Sequence, residues 1–209
     1  MATTLYDVDD LTAVLAAVGL DMFLDELIAA IRDGAARFDP EGTEHKIRAG
    51  FSYSDPEAGL VEWMPIHQVG DAVAVKTVGY HPENPRRRGV PSVLATIALY
   101  DTTTGHLRSL CEGTLLTALR TGAASAVATD ALARRGPITL GVVGCGAQAI
   151  TQVHALSRVR PITHIYATDT DPAVAATFID RLPPVTSQIE VVTGETFEGI
   201  LPELDALCT

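Results

Sequence analysis

Apolar residues change their spacing along this chain, and each change marks a different kind of element. Leu11, Val14, Leu15 and Val18 recur at the period of one helix face, with Asp9 and Asp10 placed to cap the start and Gly19 to end it. Met22, Phe23, Leu27, Ile28, Ile31 and Ala35 continue that period toward Phe38, a stripe expected to pack into a core. From Ile47 to Cys111 the pattern predicts strands over 47–53, 60–66, 72–79, 92–100 and 106–111. Ser54-Asp55-Pro56 reads as a turn, 101–105 as a hairpin loop, and 80–88 (YHPENPRRR, two prolines and no apolar pattern) as a loop. Residues 112–135 return to helix, alanine-rich and ended by Gly136-Pro137. Beyond them strands over 138–143, 162–168, 189–192 and 205–208 alternate with helices over 147–159, 172–182 and 196–202. Strands separated by crossover helices predict a parallel sheet. The fold class is therefore α/β, a strand-rich α+β region followed by a doubly wound one, divided between residues 1–125 and 126–209.

Composition narrows the function classes. The 209 residues carry 15 basic and 26 acidic side chains, a formal charge of −11, which repels phosphate backbones and argues against nucleic acid as a partner. Every apolar run is too short for a membrane span, and the N-terminal stretch lacks a basic leader region. Cys111, Cys145 and Cys208 lie far apart with no C-x-x-C spacing, and the six histidines are scattered. That pattern suits a reducing, cytoplasmic setting and offers no catalytic metal site.

The most specific motif is ITLGVVGCGAQA, in which Gly144, Gly146 and Ala149 follow an apolar strand and open a helix. Gly144 permits the tight turn, Gly146 lets a pyrophosphate approach the backbone, and Ala149 keeps the helix near the sheet. The helix starting at Ala147 and Gln148 would present its free N–H groups to the phosphates. Asp169 ends the next strand, 20 residues past Ala149, where a carboxylate accepts bonds from the adenosine ribose hydroxyls. It would repel a 2′-phosphate, and its neighbours Thr168 and Thr170 supply no arginine, so the cofactor expected is NAD rather than NADP. The alternatives are a turn without cofactor, and Asp169 as a helix cap, for which Asp171 before Pro172 is better placed.

Upstream, three basic residues stand in apolar surroundings: Arg48, Lys76 and Arg120. A buried cation needs an anionic partner, either a substrate carboxylate or an intramolecular ion pair.

VEWMP (61–65), VKTVGYHPENP (75–85), LLTALRTGAASAVAT (115–129) and GVVGCGAQAITQVHALSRV (141–159) together resemble the ornithine cyclodeaminase/μ-crystallin family. The likeness covers nearly the whole chain from about residue 5. VEWMP, KTVGY and QVHALSRV are more similar to its lysine-specific branch, which forms L-pipecolate. The resemblance implies a substrate-binding and dimerisation domain, an NAD-binding Rossmann domain, a homodimer and a diamino-acid substrate. It also implies a redox-neutral cyclisation: NAD takes hydride from the α-carbon, the distal amine closes the ring, ammonia leaves, and the hydride returns. By resemblance Arg48 and Arg120 match carboxylate-binding arginines, Lys76 a proton-transferring lysine, and Glu62 an acid facing the substrate amines. Thr117 and Thr121 match positions touching substrate or cofactor phosphate, with helix capping as their other role. Ser92 stands where relatives often carry threonine. The family's catalytic aspartate lies in a later loop, and no residue before the final ELDALCT matches it. The resemblance thus implies an unfinished Rossmann domain, with little or no turnover unless a partner chain supplies the rest. Related readings are ornithine cyclodeaminase, alanine dehydrogenase or ketimine reductase, and a non-catalytic NAD-binding module.

Overall fold

The computed structural model describes residues 1–184, 188–192 and 194–209. In chain order the elements begin with β1 (Thr4–Tyr6), α1 (Val8–Val18), α2 (Leu20–Ala36), β2 (Thr43–His45), β3 (Ala49–Tyr53) and β4 (Gly59–Gln68). They continue with β5 (Ala72–Tyr80), α3 (Asn84–Arg88), β6 (Val93–Asp101), β7 (Leu107–Glu112) and α4 (Thr114–Leu132). Then follow β8 (Ile138–Val143), α5 (Ala147–Val159), β9 (Ile162–Thr168), α6 (Pro172–Ala176), α7 (Phe178–Arg181), β10 (Gln188–Val191), α8 (Gly194–Ile200) and β11 (Ala206–Cys208). The chain divides into two compact units, Met1–Ala17 with Arg37–Thr117, and Val18–Ala36 with Ala118–Thr209.

The first unit is built on one sheet of order β1-β7-β6-β5-β4-β2, with β3 also paired to β4. Its pairings are antiparallel except for β1, which runs parallel to β7. The turn between β6 and β7 forms where expected: Asp101 Oδ1 accepts from the backbone of Thr103 and Thr104, and Gly105 takes a positive φ of 71°. β3 lies so close to β4 that a Cβ on Gly50 would fall 2.2 Å from the Val61 carbonyl oxygen. Only glycine fits there.

The second unit holds a four-stranded parallel sheet of order β10-β9-β8-β11, as the alternating pattern predicts. Ile138, Leu140, Val142, Val153, Leu156, Ile165 and Phe178 form its fully buried centre. α2 belongs to this unit, whereas the sequence-based division at residue 125 left it with the first. The reason is packing: Leu24 and Ile28 are buried, and α2 docks along α5. Arg158 pairs with both Asp21 and Asp25 of α2, and His154 Nε2 lies 2.7 Å from Asp21. α4 also meets α5 closely, because a Cβ on Gly122 would stand 2.4 Å from the Thr151 carbonyl oxygen. That contact, with Ala123 and Ala126 fully buried, is what the small residues of RTGAASA serve.

Several local expectations change. Asp7, rather than Asp9 or Asp10, caps α1: its Oδ1 accepts from the N–H of both, while Asp10 Oδ2 accepts from Asp7 N, a reciprocal capping box. Met22 and Phe38 are exposed, so the apolar stripe is narrower than its spacing suggests. Arg48 lies just before β3, not within a strand. Part of the expected 80–88 loop is the short helix α3, with Pro85 in its first turn and Gly89 in the left-handed conformation ending it. The same residues punctuate loops and helix ends, which is why the sequence pattern hid it. The helix expected over 172–182 breaks at Thr177 into α6 and α7. β1 and β2 have three residues each, too few for a periodic signal.

Gly122→Ala should lower stability by about 1–3 kcal/mol in urea unfolding, because the new methyl meets backbone that cannot move aside. Gly34→Ala, where a Cβ meets nothing within 4 Å in the interior of α2, should be neutral or stabilising. Acid sensitivity has a defined origin in the same unit. The Asp25 carboxyl is held below its ordinary value of 3.8 chiefly by the Arg158 hydrogen bond, and Asp205 chiefly by that from Arg134. Carboxylates depressed on folding stabilise above the unfolded value and lose that contribution as pH falls through the folded one. The unfolding midpoint should therefore drop as pH is taken below 3.8, and Arg134→Ala should flatten that limb. An acid limb unchanged in Arg134→Ala would rule out the Asp205 contribution.

Candidate functional site

The turn between β8 and α5 in the second unit carries the most specific chemistry. Gly144 leaves β8 with φ 89°, a conformation that side chains disfavour, and its N–H donates to the Thr168 carbonyl at 2.8 Å. Cys145 buries its thiol completely between two exposed glycines. Its N–H donates to Asp169 Oδ2 at 2.6 Å, and its carbonyl accepts from Arg181 Nη2 at 2.5 Å. Gly146 then begins α5 as its N-cap with no side-chain cap. Among the described residues, the N–H groups of Gly146, Ala147 and Gln148 have no protein acceptor. A Cβ on Gly146 would meet nothing within 4 Å, so packing does not demand the glycine. Open space over three unpaired donors at the positive end of a 13-residue helix fits the phosphates of a dinucleotide.

Asp169 stands half-buried just past the end of β9, and its Oδ1 accepts from Asp171 N at 2.8 Å. Two bonds to backbone N–H groups hold the carboxylate in place, with lone pairs remaining for further donors. Asp171, not Asp169, caps α6 by accepting from Ala173 N, as its place before Pro172 led us to expect. The Gln148 side chain is committed to the Ala118 carbonyl and to Thr151 Oγ1, which leaves its backbone N–H as the group facing the turn. Burial first, then the Asp169 charge, push the Cys145 thiol above its ordinary value, so it stays protonated and structural.

In the first unit the geometry joins three of the residues singled out from sequence. Glu62 pairs in register with Val78 and with Gly50, and Met64 pairs with Lys76. Glu62 and Lys76 are therefore diagonal neighbours on one face of the sheet. Gly50, which only glycine can fill, brings the preceding turn alongside, and Arg48 Nη1 reaches Glu62 Oε2 at 3.3 Å. Arg48 is thus in an ion pair, one of the two partners weighed from sequence. It is also 62% exposed, so the argument from desolvation does not apply to it. The Ser92 backbone carbonyl accepts from His81 N at 2.8 Å.

α4 carries the remaining candidates. Arg120 and Thr121 belong to the second unit, and Thr117 closes the first. Arg120 is exposed, and its guanidinium has no hydrogen bond or ion pair among the described residues. Thr117 Oγ1 donates to the Gly113 carbonyl one turn back, while Glu112 caps the helix by accepting from Thr114 N and Leu115 N. Among the described residues no group of three His, Cys, Asp or Glu side chains could hold a metal. Sequence reasoning missed Arg181, whose distance from the glycines along the chain gives no signal, and Gly50, whose place inside a strand was the available clue.

Comparison with known proteins places this geometry. The model of the ornithine cyclodeaminase/mu-crystallin family matches residues 8–207. The L-lysine cyclodeaminase of Streptomyces rapamycinicus is 38% identical over 96% of this chain, which spans 58% of that protein. A lysine cyclodeaminase solved for its recognition of L-lysine, L-ornithine and L-2,4-diaminobutyric acid superposes with a TM-score of 0.87 at 42% identity, covering 99% of this chain and 60% of the other. The Δ1-pyrroline-2-carboxylate reductase of Thermococcus litoralis, solved with NADH and L-proline, matches with a TM-score of 0.81 at 30% identity, covering 98% and 61%. A family match over nearly the whole length, joined to the strand–Gly-x-Gly–helix turn and the carboxylate at the next strand end, identifies the chain as a member of the ornithine cyclodeaminase/mu-crystallin family.

Proposed function

We propose that this chain binds NAD at the Gly144–Gly146 turn and carries part of the substrate-binding set of a cyclodeaminase converting L-lysine to L-pipecolate with release of ammonia. The observation that carries the reading is the trio of unpaired N–H groups at Gly146, Ala147 and Gln148, with Asp169 fixed beside the same turn. When bound, NAD supplies a reversible hydride acceptor for the substrate α-carbon. The chain's own residues do the rest. Gly146, Ala147 and Gln148 hold the pyrophosphate, and the Asp169 carboxylate accepts from ribose hydroxyls and repels a 2′-phosphate. Arg181 approaches the turn, but its Nε and Nη2 are committed to the carbonyls of Thr177, Val174 and Cys145, which favours NAD over NADP.

On the substrate side, the Arg48 guanidinium binds the α-carboxylate, and Arg120 is a carboxylate-binding arginine of the second unit. Glu62 accepts from a substrate ammonium, and Lys76 Nζ, on the same sheet face, exchanges a proton with a substrate amine. The Arg48–Glu62 pair is well suited to a zwitterionic ligand, which brings an anion for one partner and a cation for the other. Thr117 and Thr121 border Arg120 on the helix and serve substrate or phosphate. Lysine over ornithine rests on the 38% and 42% likeness to lysine cyclodeaminases, since one methylene distinguishes the substrates by only about 1–3 kcal/mol. A second reading, reduction of a cyclic imine, is favoured by the match to the pyrroline-carboxylate reductase. We place the protein in the cytoplasm as a homodimer formed through the first unit, where Ile47 is 90% and Phe51 70% exposed.

Calorimetry tests the cofactor. NAD should bind more tightly than NADP, and Asp169→Ala should narrow the difference; equal affinities in the unaltered protein would refute the role of Asp169. With NAD present, Arg48→Ala should weaken L-lysine binding by roughly tenfold or more, the scale of a charge-assisted hydrogen bond at a partly exposed site. Unchanged lysine affinity would remove Arg48 from the site. Steady NADH oxidation with a cyclic imine, and no conversion of lysine, would favour the reductase reading. Phe51→Glu should shift a dimer toward monomer in sedimentation.

A further inference from the structure

We propose that Arg181 is a positioning residue for the dinucleotide turn, fixing the direction of the Gly146 N–H. This rests on the reading of the turn as a cofactor site. The argument starts from the plane of one peptide bond. In a trans peptide the carbonyl and the N–H point in opposite directions, so whatever holds the Cys145 carbonyl also aims the Gly146 N–H. Arg181 Nη2 holds that carbonyl at 2.5 Å.

Among the described residues no other hydrogen bond holds this carbonyl. The 145–146 peptide turns about ψ of Cys145 and φ of Gly146, and Gly146 has no side chain and open space where a Cβ would be, so it offers little resistance to rotation. The preceding peptide is pinned separately, by Cys145 N donating to Asp169 Oδ2. If the 145–146 peptide turned over, the Cys145 carbonyl oxygen would face the space in which phosphates belong, and one of the three free donors would be lost. An arginine bond to the carbonyl opposes that flip.

The guanidinium is itself held for the task. Nε donates to the Thr177 carbonyl and Nη2 also to that of Val174, so one cation satisfies carbonyls from α6, from the break between α6 and α7, and from the glycine turn. The break at Thr177 divides the two short helices and sets Arg181 at the end of α7. Arginine suits this position because its planar fork bonds several oxygens at once, which a lysine ammonium on a flexible stem does less well.

Arg181→Ala and Arg181→Lys, measured by two readouts, test the proposal. The first needs no ligand: nitrogen-15 relaxation should give lower order parameters for the Cys145 and Gly146 amides in Arg181→Ala, with those of Leu140 and Ile165 at the centre of the sheet unchanged. The second is calorimetry with NAD and with ADP, which share the pyrophosphate. Both should weaken by a similar factor, roughly tenfold or more, with part of the loss recovered in Arg181→Lys or by adding methylguanidine to Arg181→Ala. Unchanged order parameters at the turn would overturn the proposal. So would a lowered unfolding midpoint with NAD affinity intact, since Arg181 would then only staple its own helices. A loss confined to NADP would also overturn it, making the side chain a direct phosphate ligand. Should the unaltered protein bind neither NAD nor ADP, the cofactor reading fails while the relaxation experiment still decides what Arg181 does.

Discussion

An α-helix cannot satisfy its own first N–H groups, and the second unit is arranged around that deficit at the start of α5. Gly144 N, Cys145 N and the Cys145 carbonyl all find partners in the protein, on Thr168, Asp169 and Arg181. Among the described residues, the donors of Gly146, Ala147 and Gln148 are left open, and they lie where Gly146 clears the space in front of them. An anion is the natural complement of such a place. The parallel sheet supports the arrangement, because β8 delivers the turn and adjacent β9 delivers Thr168 and Asp169 to the same edge.

Glycine does unrelated work at two other points. At Gly50 it lets β3 approach β4 until Arg48 can reach Glu62, and at Gly122 it lets α4 approach the backbone of α5 at Thr151. In both, the missing side chain is replaced by backbone of a neighbouring element. Gly146 differs because its missing side chain is replaced by nothing in the protein. Gly34 has open space too, but at Gly146 that space lies over unpaired helix N–H groups, a conjunction that a sequence alone cannot show.

Candidate residues in each unit divide their roles between function and architecture. Glu62 is held by Arg48, Gln148 is spent on Ala118 and Thr151, and Thr117 bonds back to Gly113. None of these partners was legible in the sequence, since each lies across a strand pair, between helices, or one turn back by a choice of rotamer. The α2 clamp on α5 is a similar case. Asp21 and Asp25 look like ordinary helix-surface acids until folding brings Arg158 and His154 to them from more than 130 residues away.

The local pattern alone determined the alternation of strand and helix from residue 138 onward, the parallel sheet, the turn at Gly144 and Gly146, and the carboxylate at Asp169. These are short-range consequences of hydrophobic period, turn chemistry and helix capping, and a window of 30 residues contains them. Tertiary structure decided that α2 joins the second unit, that Arg48 is paired and exposed rather than buried, and that Arg181 meets the Cys145 carbonyl. Those outcomes depend on which surfaces meet after folding, and neither hydrophobic spacing nor residue type encodes the partner of a side chain far along the chain.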